Sequence, residues 1–249
     1  MTIINPPPDL TDKQAVAEFY NFPLELLRGD YVGFNAISDP FWPKYEQELK
    51  YFLKNVAPLA KLVVCVTKFK IKDEIWEILR KIPNFRLNVS ITGLDDLENT
   101  KTKDRLDVLR QAKKFGVKAF PIIHPYIAGL SDLSFLPELK AMGYDYLDVK
   151  GLRYNHQTMR TWMPNQAQQY YINSEEQEIL PEDGWRQKIA QAGLTLKTLK
   201  DWYGQDCLSN NAVDEKTAEN NVKKLLKYAN ITSSDTDEAV IKSAIERRL

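Results

Sequence analysis

Five places along the chain set a charged or hydroxyl-bearing side chain at the end of an apolar run. They are Ser38 and Asp39, Thr67 and Lys68, Ser90 and Thr92, His124 and Tyr126, and Lys150 and Arg153. These residue types span several chemistries. A lysine ammonium is a flexible point charge suited to a carboxylate, and a desolvated lysine can attack a carbonyl carbon. Histidine titrates near neutrality and is a candidate acid–base group at position 124. Each position also has an ordinary use. Ser-Asp-Pro opens turns, a strand-end hydroxyl satisfies nearby backbone, and a lysine leaving a buried strand reaches for water. Lys150 and Arg153 are candidates for an anionic ligand, and Asp145 and Asp148 are their competing partners. The two histidines, His124 and His156, and the two cysteines, Cys65 and Cys207, do not make a metal-ligand cluster by spacing. The run Asp95, Asp96 and Glu98 reads as a solvated loop whose acids favour the following helix. The aromatic group Phe41, Trp42, Tyr45, Tyr51 and Phe52 reads mainly as core packing.

The elements that must position these residues alternate. Five short apolar-rich runs fall at 31–38, 62–67, 86–91, 118–123 and 146–149. Between them apolar residues recur at spacings of three and four, as in Leu49, Phe52, Leu53 and Val56, or Leu106, Leu109 and Ala112. Buried strands alternating with helices predict a parallel sheet covered by helices. Gly116 and Gly143 fall where a helix closes before the next strand. No Gly-x-Gly-x-x-Gly turn follows a strand, so a dinucleotide-binding sheet is not expected. An α/β fold is, specifically a partial (β/α) barrel whose functional residues sit at the carboxyl ends of its strands. Residues 1–157 are expected to form this part-barrel. Residues 158–249 are expected to form a mostly helical C-terminal appendage, with Tyr170 to Ile172 as an edge strand and helices at 182–191, 195–203, 214–229 and 235–248. A sheet starting at 31–38 leaves an open edge, for which Thr2-Ile3-Ile4 is a short replacement strand, residues 168–173 folding back an alternative, and another chain a third cover.

Charge is balanced, with 34 basic and 34 acidic residues among 249. No overall field therefore draws the protein to nucleic acid or to an anionic membrane. The start, MTIINPPPDL, does not read as a secretory signal, and no apolar run is long enough to span a bilayer. The expectation is a soluble cytoplasmic protein.

The series SDPFWPKYEQEL, VTKFKIKD, NVSITGLDDLE and KDRLDVLRQAKKFGVKAFPIIHPYIAGLSD, over residues of about 25–150, resembles the radical S-adenosylmethionine (SAM) superfamily. The nearest branch is the one that contains spore photoproduct lyase. The resemblance implies a SAM-binding barrel. In it Lys68 would pair with the SAM carboxylate, Ser90 would meet the ribose or methionyl part, and Ser38 and Asp39 would lie near the amino group. His124 and Tyr126 would lie where the family contacts adenine, and Lys150 or Arg153 would offer a further anion contact. A glutamate near Glu98 is also part of the family pattern. The family's [4Fe-4S] cluster is held by a Cys-x3-Cys-x2-Cys loop after the first strand. Here the chain reads as starting after that loop or lacking it, so this chain alone does not supply the three thiolates.

Three functional expectations follow. One is a radical SAM barrel that needs its cluster loop from a partner protein or a missing segment. A second is a non-catalytic relative, a pseudoenzyme or a substrate-recognition partner of a complete enzyme. A third, independent of the resemblance, is a lyase-like barrel with Lys68 or Lys150 as a Schiff-base lysine.

Overall fold

The computed structural model describes residues 2–4, 31–34, 39–55, 57, 62–153, 163–171, 178–198 and 201. The regular alternation read from the sequence is present. β1 (Thr2–Ile4) and β2 (Tyr31–Phe34) are followed by a 3₁₀ turn at Pro43–Tyr45 and α1 (Glu46–Asn55). Then come β3 (Leu62–Thr67), α2 (Asp73–Leu79), β4 (Phe85–Ser90), α3 (Thr102–Lys114), β5 (Ala119–Ile123), α4 (Leu136–Ala141) and β6 (Tyr146–Val149). A two-stranded antiparallel ribbon of β7 (Leu152–Arg153) and β8 (Glu178–Ile179) brackets α5 (Asn165–Gln168). α6 (Trp185–Gln191) and β9 (Thr195–Leu196) complete the described chain.

The main sheet has seven strands in the order β1-β2-β3-β4-β5-β6-β9, each parallel to its neighbour. Spatial order follows chain order throughout, and no reversal divides the sheet. Right-handed crossovers in one direction place the connecting helices on one face. Burial agrees. Val63, Cys65, Leu87, Val89, Ile123, Leu147 and Val149 pack into one apolar core with Leu49, Phe52 and Leu53 of α1, Ile75, Trp76 and Leu79 of α2, and Leu106, Leu109 and Ala112 of α3. Because side chains alternate along a strand, Val64, Val66, Arg86, Asn88, Ser90, Phe120, Ile122 and Asp148 belong to the other face. That second face carries most of the sheet's buried polar residues, Arg86, Asn88, Ser90 and Asp148, whereas Thr67 ends β3 on the first face.

The N-terminal tripeptide does serve as a strand. Thr2, Ile3 and Ile4 pair with Val32, Gly33 and Phe34, so β2 is laddered on both sides. The left-handed helix ends are also as expected, with φ of 68° at Gly116 and 78° at Gly143. Two expectations are corrected. Residues 168–171 complete a short helix and a turn rather than an edge strand. The helix expected at 195–203 does not start there: Thr195 and Leu196 form β9 and pair with Tyr146 and Leu147, while Asp201 is helical. Unsatisfied ladder groups on β6 provide a partner that local helical spacing cannot register. The sheet therefore takes its last strand from beyond residue 157. The helices expected at 214–229 and 235–248 lie outside the described residues. No helix among those described is long and apolar enough to cross a membrane.

Candidate functional site

The candidate residues collect at the carboxyl ends of β3 to β7. Ser38 lies outside the described residues, and Asp39 enters the fold as a backbone clamp. Its Oδ1 accepts from the Phe41 N–H at 2.9 Å and from Thr67 Oγ1 at 2.8 Å. Its Oδ2 accepts from the Lys68 N–H at 2.5 Å. Burial raises the Asp39 carboxyl above its ordinary value against the pull of these donors. The clamp fixes the turn after β3 and thereby the base of the Lys68 side chain.

From that base Lys68 reaches the chain that follows β4. Its Nζ lies 2.5 Å from Glu98 Oε1, with side-chain exposures of 32% for the lysine and 21% for the glutamate. Glu98 Oε2 accepts from Thr92 Oγ1 at 2.5 Å and also from the Arg105 guanidinium. Arg105 comes from α3, is wholly buried, and donates to Thr92 Oγ1 at 2.6 Å and to the Thr100 carbonyl at 2.9 Å. Burial works to raise the Glu98 carboxyl, but Lys68, Thr92 and Arg105 outweigh it and hold the group below the ordinary glutamate value. Glu98 is thus not part of a solvated run. Its neighbours Asp95 and Asp96 are exposed, and Asp95 Oδ1 caps α3 by accepting from the Thr102 N–H at 2.7 Å. Arg105 carried no sequence signal apart from its place among the buried positions of α3. A charge at a core position was the clue available.

Ser90 is 1% exposed and donates to the His124 carbonyl oxygen at 2.6 Å. The hydroxyl is engaged with backbone between two adjacent strand ends. Tyr126 is buried, and its hydroxyl lies 2.7 Å from both oxygens of Asp183, so β5's exit is tied to the segment before α6. Burial, then the Asp183 carboxylate, pushes the Tyr126 phenol well up, so it remains protonated. Arg153 donates to Glu178 Oε2 at 2.7 Å across the β7–β8 ribbon.

His124 and Lys150 extend the β5–β6 register. Ile122 pairs with Asp148 and Ile123 with Val149. The Lys150 N–H then donates to the Ile123 carbonyl at 2.9 Å, and the Lys150 carbonyl accepts from the Tyr126 N–H at 2.8 Å. His124 and Lys150 therefore follow as neighbours on the second face. Burial chiefly, with Lys150, Arg153 and Lys68, lowers the His124 imidazole below its ordinary value, while Glu178 opposes.

Among the aromatic residues, Phe41 and Phe52 are core as expected. Trp42 is not. It is 44% exposed and stacks on Phe69 at 6.4 Å, because the turn into Pro43 faces it outward at the rim. Two clefts among the described residues lie away from Lys68, His124 and Lys150. A cleft of about 480 Å³ lies around Lys118, Phe120 and Tyr144, at the amino-terminal ends of β5 and β6. Another of about 580 Å³ lies between the loops after β4 and β5, lined by Leu94, Asp96, Asp132 and Phe135. Neither is lined by Lys68, His124 or Lys150.

No family model, no curated protein and no solved structure matches the chain.

Proposed function

We propose that the chain is a part-barrel of the radical SAM type that binds SAM at the carboxyl ends of its strands. The observation that carries this reading is the Lys68–Glu98 pair. One opposite-charge pair, partly open to solvent, stands at a strand end with its carboxylate held from behind by Thr92 and Arg105. Such a pair complements a zwitterionic amino-acid head. Lys68 turns to the ligand's carboxylate, and Glu98 accepts from the ligand's ammonium while Arg105 and Thr92 keep its charge in place. The strand order, parallel and sequential without reversal, supports a part-barrel over a doubly wound sheet.

The donor set does not fit an iron–sulfur cluster. Cys65 is fully buried on the helix-covered side of β3, and Cys207 is the chain's other thiol. Three converging thiolates are needed, so radical chemistry in this reading requires a cluster loop from a partner or another segment. A non-catalytic SAM-binding relative uses the same head-group site, and cluster reconstitution with a candidate partner separates the two.

Calorimetric titration with SAM, with methionine as the head alone, tests the site. SAM and methionine should both bind. Lys68→Ala should weaken both on the order of tenfold or more, since a hydrogen bond to a charged group contributes about 1.5–3 kcal/mol. No heat at millimolar SAM, or equal affinity in the variant, overturns the reading.

A further inference from the structure

Three of the strand-end cations named above have a carboxylate partner among the described residues. Lys68 and Arg105 both meet Glu98, and Arg153 meets Glu178. The Lys150 ammonium makes no ion pair or hydrogen bond among the described residues, although its backbone is fixed on both sides by Ile123 and Tyr126. Its neighbour in register, His124, is likewise pinned through its backbone, by Ser90, and leaves its ring nitrogens without a hydrogen-bond partner among the described residues. A nucleophile and a base, each free in its side chain and fixed in its main chain, stand on adjacent parallel strands. Adjacent strands are about 4.8 Å apart, which is within proton-transfer reach for a flexible lysine and an imidazole.

We propose that Lys150 is an imine-forming lysine for a small anionic carbonyl compound of the 2-oxo acid class, with His124 as its proton shuttle. This goes beyond the SAM reading, since it uses different strands and a different ligand head. In the step, the Lys150 ammonium gives a proton to the imidazole. The amine lone pair then forms a bond to the carbonyl carbon, and the C=O π pair moves to oxygen to give a carbinolamine. His124 returns that proton to the oxygen to give a hydroxyl, then takes a proton from the carbinolamine nitrogen and delivers it to the hydroxyl, so that the C–O bond breaks and water leaves as the protonated imine forms. No external oxidant or reductant is needed.

Two features select the substrate class. The charges acting at His124 are those of Lys150, Arg153 and Lys68 against Glu178, a positive balance that favours a carboxylate beside the reacting carbon. Burial and the neighbouring Lys150 lower the His124 imidazole, which disposes its protonated form to hand the proton on to the carbinolamine oxygen. Lys68 is the poorer nucleophile of the two, because its ammonium is committed to Glu98.

The test is reductive trapping of the full chain with pyruvate or glyoxylate and cyanoborohydride, without SAM, followed by peptide mapping. Lys150 should be modified on the order of a hundredfold faster than exposed lysines such as Lys103 and Lys118. Acetaldehyde, which lacks the carboxylate, should lose most of that selectivity. His124→Gln should slow modification of Lys150 on the order of a hundredfold and leave Lys103 and Lys118 unchanged. Modification of Lys150 at the rate of the exposed lysines, or a rate unaffected by His124→Gln, overturns the proposal. Since the wild-type map reads each lysine directly, the result does not depend on a variant folding, and failure of SAM binding leaves it untouched.

Discussion

Ser90 donates its hydroxyl proton to the carbonyl oxygen of His124 across 2.6 Å, joining the ends of β4 and β5 where their regular ladder stops. The His124–Pro125 bond is cis, and the Tyr126 N–H beyond it donates to the Lys150 carbonyl at 2.8 Å. A strand-end serine that by resemblance would meet a ligand instead completes the backbone of the residue next to Lys150. It positions His124 through the main chain and does not engage the imidazole.

Ser90→Ala should therefore cost stability rather than SAM affinity. Ser90 is 1% exposed, so the variant leaves a buried acceptor unmet, at a cost of about 1–3 kcal/mol. Urea denaturation should show a lower midpoint with an unchanged slope. SAM titration of the folded variant should match wild type, and a large affinity loss without a stability loss would place the hydroxyl on the ligand.

Glu98 sets an acid limb in the stability profile. Its folded value lies below the ordinary 4.5, so its contribution is fully present above about 4.5 and is lost as pH falls through the lower folded value. Asp39 acts oppositely. Its raised carboxyl takes up a proton in the folded state first, so stability rises as pH falls from that value toward the ordinary 3.8. Glu98→Gln should remove the loss below pH 4.5 and leave the Asp39 gain in view. Denaturation midpoints from pH 6 down to pH 3 read the difference, and an unchanged slope in Glu98→Gln contradicts it.

Arg105→Met should be among the most damaging single changes in this region. The guanidinium is fully buried and serves Glu98, Thr92 and Thr100 at once. Removing it leaves a half-buried carboxylate with only Lys68 and the Thr92 hydroxyl, at a cost of about 3–5 kcal/mol. The double variant Arg105→Met with Glu98→Gln should recover part of that loss. Additive losses in the double-variant cycle would mean the two residues do not interact.

Tyr126→Phe should loosen the segment before α6 without disturbing the sheet. The hydroxyl bonds both oxygens of Asp183 at 2.7 Å, and the ring packs 6.1 Å from Trp185. Loss of one hydrogen bond to a charged group is expected to cost about 1.5–3 kcal/mol. Hydrogen exchange should rise in α6 and remain unchanged in β3 and β4, and a uniform rise would assign Tyr126 to the global core.

The sequence by itself determined the alternation of strands and helices. Runs such as 62–67 are almost wholly apolar, and with the intervening spacing of three and four they point to a sheet buried by helices on at least one face. It also determined where to look, because Lys68, Ser90, His124 and Lys150 each end an apolar run. Tertiary structure decided what each of these groups is bonded to. Asp39 clamps the turn after β3, Ser90 satisfies a carbonyl, Lys68 is paired, and Lys150 has no ion-pair partner among the described residues. Those outcomes depend on strands and loops tens of residues apart meeting in one register, which short-range periodicity does not encode. Arg105 shows the same limit from the other side. Its helix was legible from the sequence, but its carboxylate partner lies in the loop that precedes that helix, and burial of the pair follows from how α3 packs on the sheet. β9 is the clearest case. Thr195 and Leu196 become a strand because β6 presents an unfilled edge to them, and an unpaired backbone in a buried sheet is costly enough to override local helical preference.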